Sequence, residues 1–313
     1  MSFAAMMALG LLVDAALGWP DRLYRRLGHP VTWIGGAISG LEIRWNRGSA
    51  RARQIRGGLC VCVVVIGALV PACLLQSILP DGGAGIILGG LLVWPFVAVR
   101  SLHDHVAAVA RPLAAGDLPG GRHAVSMIVG RDPARLDEAG VARAAIESLA
   151  ENASDGIVAP LFWGAALGLP GIVAYKAINT LDSMIGHRTA RHEHFGKAAA
   201  RLDDLVNLVP ARLTGLAFAL VSTRPRAALA RMMRDARKHR SPNAGWPEAA
   251  MAGALQVRLS GPRAYGDVVT EEPWVNDGAP DPGPDQIVRG LALYRRAMIL
   301  CGAGLVGLAL AGG

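Results

Sequence analysis

The chain has 313 residues, of which 52% are hydrophobic and 18% charged, and its mean hydropathy is +0.34. Soluble domains carry roughly 25% charged residues, so this composition excludes an ordinary soluble domain and indicates an integral membrane protein. The formal net charge is +8. Aromatic residues are not interleaved with the basic ones, and we therefore expect no nucleic-acid partner.

Four apolar segments predict transmembrane helices: 3–17, 59–79, 84–102 and 297–313. The second is uncharged and long enough to cross a hydrocarbon core of roughly 30 Å. The first lacks a basic start and contains Asp14, so we interpret it as a retained helix rather than a signal peptide. An acid inside such a helix is either a functional group or an interfacial residue near the helix end.

Two further apolar segments, 157–175 and 205–221, are short, contain proline and flank the most polar part of the chain. They predict broken or re-entrant helices that are buried in protein. The predicted fold is an all-α, polytopic membrane protein: a helical bundle with four or more transmembrane helices, broken helices around the site and cytoplasmic helical loops. We expect one membrane domain over 1–313, in which 223–290 forms a cytoplasmic subdomain or lid. This segment is predicted to contain a basic helix to about His239, followed by loops rich in proline and glycine.

Basic residues cluster at 44–56, 224–240 and 289–296, each next to an apolar segment. The positive-inside rule places such clusters in the cytoplasm, and the polar segments 103–156 and 176–204 are then cytoplasmic as well. The alternative is that part of this positive charge binds an anionic substrate.

A helix is predicted to begin at the N-cap Asp132, with Pro133 at its first position, and to end near residue 152. Acidic, amide and hydroxyl groups follow at the lip of an apolar run: Glu151, Asn152, Ser154 and Asp155. Polar groups in such a place are costly unless something binds them. This segment is therefore a candidate binding site.

A second polar group of residues lies on a predicted helix over 176–187. At 100° per residue, one third of the circumference carries Lys176, Asn179, Thr180, Ser183 and His187, with Asp182 at its border. A solvent-facing stripe would have the same periodicity. Short hydrogen-bonding groups around one cation, without the usual Glu and Arg, favour an anionic ligand.

Two adjacent carboxylates, Asp203 and Asp204, are followed by Asn207 at helical spacing and then by Arg212. Carboxylate and amide oxygens are ligands for hard divalent ions, and Mg²⁺ often needs only one or two carboxylates besides phosphate oxygens. Arg212 could pair with a phosphate or with these acids. The alternative is a solvated helix end with ion pairs to Lys197 and Arg201.

Long stretches of the chain resemble the CobD/CbiB family of adenosylcobinamide-phosphate synthases. They are GHPVTWIG, SMIVGRD, ENASDGIVAPLF, YKAINTLDSMIGH, FGKAAARLDDLVNLVPARLT and RDARKHRSPNAGWPE. The resemblance covers nearly the whole chain, and these strings are unlike other membrane families. One departure is Trp19, where the family often has aspartate in a G-D-P turn.

The resemblance implies a multi-pass enzyme of the bacterial inner membrane with a cytoplasmic active face. It would use ATP and Mg²⁺ to join adenosylcobyric acid to aminopropanol or its phosphate. ATP would be bound without the common phosphate loops, because neither G-x-x-x-x-G-K-[ST] nor G-x-G-x-x-G after a strand is present. Further partners would be membrane lipid, a second copy of the chain and later enzymes of the nucleotide-loop pathway.

Amide formation requires an activated acyl group, such as an acyl phosphate, cations for the transferring phosphoryl group, and a base for the incoming ammonium. The predicted catalytic residues are Lys176, His187 and Arg212 as cations and Glu151 as the base. The predicted binding residues for substrate or ATP are His29, Asn152, Ser154, Asp155, Asn179, Thr180, Asp182, Ser183 and Lys197. The predicted metal ligands are Asp155, Asp203, Asp204 and Asn207.

Two other classes of function remain open. A transporter or carrier of corrinoids would line a translocation path with the same residues, although transport favours repeated halves, which the sequence lacks. A membrane scaffold for soluble cobalamin enzymes would not need this cluster of Lys, Asn, Asp and His.

Overall fold

The structure, a computed structural model, describes residues 2–130, 132–187, 189–265 and 268–312. Almost all of the regular structure is helical. The helices are α1 (Phe3–Leu17), α2 (Asp21–Leu27), α3 (Pro30–Trp45), α4 (Ala50–Ser77), α5 (Gly82–Val93), α6 (Val99–Ala114), α7 (Leu118–Ser126), α8 (Glu138–Ala153), α9 (Ala159–Leu167), α10 (Leu169–Leu181), α11 (Lys197–Val206), α12 (Leu208–Val221), α13 (Pro225–Asp235), α14 (Gly245–Leu255) and α15 (Pro284–Ala311). Short strands are β1 (Leu259–Ser260), β2 (Arg263–Tyr265), β3 (Val268–Thr270) and β4 (Trp274–Val275).

Within the described residues, three helical segments are long and apolar enough to cross a membrane: Ala50–Ser77, Gly82–Ala114 and Pro284–Ala311. The second of these segments covers both α5 and α6. The number rises to five if two bent helix pairs, Phe3–Leu17 with Arg22–Trp45 and α11 with α12, are each one span. The all-α fold is confirmed, and these helices fit a membrane protein. Because the number of spans depends on the bent pairs, four or more spans and the broken or re-entrant helices stay predictions.

The chain divides into two compact units. The first contains Met1–Ala98, Ala159–Asn207 and Gly302–Gly313. Its core lies where α4 packs against α3, α10 and α11. The buried residues at this junction are Ile38, Cys60, Val61, Val64, Ala177, Leu181, Ile185, Phe195 and Ala199.

Two glycines allow the backbone of this first unit to pack closely. A Cβ atom at Gly57 of α4 would lie 1.9 Å from the carbonyl oxygen of Phe195. A Cβ atom at Gly196 would lie 1.6 Å from the carbonyl oxygen of Ile185. Real side chains do not tolerate these distances, so glycine at position 57 brings the segment that precedes α11 directly against α4, and glycine at position 196 brings the same segment against Ile185.

The second unit contains Val99–Val158 and Leu208–Cys301. In it α6 packs against α7 and α8, and α14 packs against α8, α12 and α13. Every residue of α14 is buried. Its small residues allow this, because a Cβ atom at Gly253 would already lie 2.8 Å from the Cβ of Arg231. The strands pair as two antiparallel ladders, β1 with β4 and β2 with β3.

Two predictions about this unit are wrong. The helix expected to begin at Asp132 begins at Glu138, with Asp137 as its N-cap, while Asp132 accepts a hydrogen bond from the Ala134 amide in a separate turn. The segment expected to be loops after His239 contains α14, whose small residues give no clear amphipathic period. The assignment of 223–290 as a cytoplasmic subdomain or lid stays a prediction.

Candidate functional site

The predicted site residues belong to both units. The first unit holds His29, Lys176, Asn179, Thr180, Asp182, Ser183, His187, Lys197, Asp203, Asp204 and Asn207, and the second holds Glu151, Asn152, Ser154, Asp155 and Arg212.

Helix α10 carries the predicted polar stripe and ends in a π-helical turn, Asp182–Gly186. Turns of this kind are frequent at functional sites. The hydroxyls of Thr180 and Ser183 donate to the carbonyls of Lys176 and Asn179, at 2.7 and 2.9 Å. Both hydroxyls therefore bond within their own helix. The other members of the stripe on α10, Lys176 and Asn179, are half-buried.

Three carboxylates of the first unit act on one another: Asp182, Asp203 and Asp204. Burial raises the pKa of Asp182 above its usual value, the Asp204 charge raises it further, and His187 opposes both. Asp203 is 8% exposed. The Asn179 side chain lies close enough to the Asp203 carboxylate to interact with it by hydrogen bonding. The Oδ1 atom of Asp203 is nevertheless buried without a well-formed hydrogen bond. Burial and a neighbouring carboxylate both act against the ionised form of Asp182.

Asn207 fixes the orientation of Asp203. Its Nδ2 donates to Oδ2 of Asp203 at 3.0 Å, and its own Oδ1 accepts from the Tyr175 hydroxyl at 2.9 Å. The indole of Trp163 donates to the carbonyl of Val206 at 3.0 Å, which holds the end of α11. The sequence predicted Asn207 as a metal ligand; in the structure its amide is engaged by two protein groups.

The carboxylates of this cluster are candidate ligands for a metal ion. Among the described residues, no group of three or more His, Cys, Asp or Glu side chains is arranged to hold one. One or two carboxylates are nevertheless sufficient for Mg²⁺ that keeps phosphate oxygens and waters. Asp203 and Asp204 stay predicted ligands for an ion that arrives with a phosphate, and Asp155, which belongs to the second unit, stays a predicted ligand as well.

The segment between the π-helical turn and α11 is held by Glu42 of α3, a residue that sequence analysis missed. Its carboxylate accepts two hydrogen bonds from Arg191, at 2.8 and 2.6 Å, and one from Asn46 at 2.8 Å. His192 lies 3.5 Å from it. The segment also carries exposed His187 and leads to exposed Lys197. No sequence signal joins these residues, because Glu42 and Arg191 are far apart along the chain.

His29 is the N-cap of α3. Its Nδ1 accepts a hydrogen bond from the Val31 amide at 3.2 Å. The positive charge of Lys176 is close enough to interact electrostatically with its imidazole ring. The ring packs edge-on against Trp19. The structure thus brings His29 and Lys176, which are distant in sequence, into one neighbourhood.

In the second unit, α8 also ends in a π-helical turn, Ser154–Val158, against which α12 packs. Glu151 and Asn152 are exposed, and the Asn152 amide donates to the Ser148 carbonyl at 2.9 Å. Ser154 is 1% exposed, and its hydroxyl oxygen has no hydrogen-bond partner. A buried hydroxyl in that state is unusual and is consistent with a ligand that completes the site.

Arg212 of α12 is half-buried in the second unit. Its Nη1 donates to the Leu208 carbonyl at 2.5 Å, and its guanidinium lies 4.3 Å from the centre of the Trp246 ring. The Trp246 indole donates to the Pro242 carbonyl at 3.1 Å. Trp246, which sequence analysis did not single out, therefore makes a cation–π contact with the Arg212 guanidinium.

A second polar cluster in this unit was also missed. It contains Glu147, His239, Glu248 and Ser260. Glu147 accepts from the Ser260 amide at 2.7 Å, and His239 lies 3.6 Å from Glu248. The two glutamates are 6% and 1% exposed, so this cluster holds α8, α14 and β1 together rather than facing a substrate. Its only sequence signal is the HRSPNAGWPE string.

The chain matches the CobD/Cbib protein family over residues 7–294. It is 68% identical to the cobalamin biosynthesis protein CobD of Rhodobacter capsulatus over 298 residues, which are 95% of each chain. The protein of the same name from Brucella suis is 50% identical over 318 residues, 97% of each chain. No solved structure matches. The chain belongs to the CobD/CbiB family, whose curated members are named for cobalamin biosynthesis.

Proposed function

We propose that this protein forms an amide bond between adenosylcobyric acid and aminopropanol or (R)-1-aminopropan-2-yl phosphate. The reaction uses ATP and takes place at the cytoplasmic face of the bacterial inner membrane. Family membership supports the pathway. The observation that carries the chemistry is the polar cluster of the first unit. In this cluster Lys176 and Asn179 are neighbours on α10, and the Asn179 side chain interacts by hydrogen bonding with the Asp203 carboxylate.

This combination suits phosphoryl transfer. Lysine binds phosphate as a compact point charge, and Asp203 and Asp204 would hold Mg²⁺ together with phosphate oxygens. The ion, when bound, neutralises charge on the transferring group. Mutual repulsion among the three carboxylates decreases when a cation is present, so the cluster gains stability from the species that we propose it binds.

The proposed reaction has two balanced steps. In the first, a corrinoid carboxylate oxygen bonds to the γ-phosphorus of ATP, and the bond from that phosphorus to ADP breaks. In the second, the amine nitrogen bonds to the acyl carbon, and phosphate leaves. The incoming ammonium must lose a proton, and exposed Glu151 is the proposed acceptor. Arg212, supported by Trp246, is the proposed cation for the second anionic substrate.

The test is an assay of purified protein in detergent with adenosylcobyric acid, ATP, Mg²⁺ and either amine. We expect a corrinoid product that is heavier by the amine minus water, with loss of ATP in equal amount. Mixtures without ATP, or with Mg²⁺ chelated, are the controls. Binding of the corrinoid without any covalent product under all of these conditions would instead favour a carrier or scaffold.

A further inference from the structure

Trp19 has a hydrogen-bond donor for which the structure supplies no acceptor. Its ring lies 5.1 Å from the His29 ring at 78° and 5.3 Å from the Trp94 ring at 60°. The indole nitrogen is buried and makes no hydrogen bond. Buried indole N–H groups usually find a partner, and a buried donor without one requires an explanation.

Trp94 provides the comparison. Its indole donates to the Gly18 carbonyl at 3.0 Å, next to Trp19 in the chain. Trp163 and Trp246 also donate to backbone carbonyls, at 3.0 and 3.1 Å. Backbone carbonyls therefore satisfy the indoles of these three tryptophans and that of Trp33, while the indole N–H of Trp19, in the same aromatic group as Trp94, has no acceptor.

Two groups near Trp19 can contribute to the binding of an anion: the His29 ring that it contacts and the Lys176 charge that acts on that ring. Because Nδ1 of His29 accepts from the Val31 amide, the proton of the neutral ring is on Nε2. The charge of Lys176 reaches this ring. A place with two N–H donors and a nearby ammonium is complementary to an anion with several acceptor oxygens, and phosphate is such an anion.

We propose that Trp19 is a further binding residue of this site, whose indole N–H donates to a phosphate oxygen of a substrate held at His29 and Lys176. The inference rests on the proposed function, and its ligand is the phosphate of ATP or of the phosphorylated amine.

The test is Trp19→Phe, which keeps an aromatic ring and removes the donor. Without ligand, the variant should melt at the same temperature as wild type or higher, because an unsatisfied buried donor is gone. With ligand, the Kd should rise about tenfold or more, as expected for a lost bond to a charged group. Binding is measured by thermal shift with MgATP, the amine phosphate and inorganic phosphate in separate arms, and the arm that weakens identifies the source.

Trp94→Phe is the matched control. It removes an indole N–H that has an acceptor, so it should lower the melting temperature and leave the Kd unchanged. Replacement of Trp19 by benzothienylalanine, which keeps the bicyclic shape, serves if the phenylalanine variant misfolds. Wild-type Kd values in all arms for this analogue would overturn the proposal. A change only with added anionic phospholipid would overturn the assignment to a substrate.

The outcome is separable from that of the proposed function. If wild-type protein binds phosphate compounds but forms no amide, the proposed reaction fails, while the comparison of the two tryptophan variants still decides the role of Trp19. If wild-type protein forms the amide and Trp19→Phe has wild-type Kd and KM values, the reaction stands and the inference about Trp19 is wrong.

Discussion

At the scale of single residues, the arrangement around Lys176 gives a direct prediction. Lys176→Met keeps the length and apolar packing of the side chain but removes its charge. The single-turnover rate of amide formation should fall about a hundredfold or more, the magnitude typical of groups aimed at developing charge. The rate is measured with saturating ATP and corrinoid, so that weaker binding is not mistaken for slower chemistry.

Lys176→Arg is the conservative partner of this variant. A planar guanidinium does not replace a compact ammonium at a fitted site, so we expect only partial recovery. A rate for the Met variant within about threefold of wild type would remove Lys176 from the mechanism.

Asp182 gives a prediction about pH. Burial and Asp204 raise its pKa in the folded protein, so the folded state holds this proton more tightly than the unfolded state, whose value is about 3.9. The stability contributed by this group is therefore complete below about pH 3.9 and is lost as the pH rises through the folded-state pKa. Above that window, the ionised carboxylate destabilises the fold.

Asp182→Asn removes this penalty. Without divalent cations, the variant should melt at a higher temperature than wild type at pH 7, and the difference should shrink as the pH falls toward 4. Melting curves in detergent over that range are the measurement. A variant that melts lower than wild type at pH 7 would show that the charged form of Asp182 is stabilised by its neighbours.

At the scale of elements, the contact of α4 with the segment before α11 depends on Gly57. Gly57→Ala places a methyl 1.9 Å from the Phe195 carbonyl oxygen, and the backbone must move. Overpacking of this kind costs about 1–3 kcal/mol. Because this segment leads to Lys197 and α11, amide formation should decrease as well.

Gly58→Ala is the matched control, since a methyl there meets nothing within 4 Å. In a helix interior this change should stabilise by about 0.5–1 kcal/mol. The two variants are compared by their melting temperatures. Equal effects would mean that helix propensity, and not the approach to Phe195, determines the outcome at Gly57.

Elements with a strong pattern were predictable, and others were not. Residues 3–17 were predicted from an apolar run that contains a single acid, Asp14, and α1 has the same bounds. The start of α8 was misplaced because Asp132 and Asp137 both have the chemistry of an N-cap, and only the surrounding turn decides between them. The first turn of α14 was missed because its sequence combines glycine, proline and small residues.

At the scale of the whole molecule, the prediction concerns orientation. The basic clusters predict that the polar segments 103–156, 176–204 and 223–290 face the cytoplasm. Thr189 lies in one of these segments and is exposed, so a cysteine at this position can show which side of the membrane the segment faces. In a variant whose native cysteines are replaced, Thr189→Cys should react with an impermeant thiol reagent only after the cells are opened. Labelling in intact cells would reverse the proposed orientation.

The sequence by itself determined the membrane character of the chain, its helical class, its family and the residues with suitable chemistry. These are properties of local composition and of long strings, and they do not depend on how distant segments meet. It could not show that Glu42 binds Arg191, that the Asn207 amide is occupied by Tyr175 and Asp203, or that the Trp19 indole has no acceptor. Tertiary structure decided these features, because burial and hydrogen-bond satisfaction depend on which groups the fold brings within a few ångströms of each other.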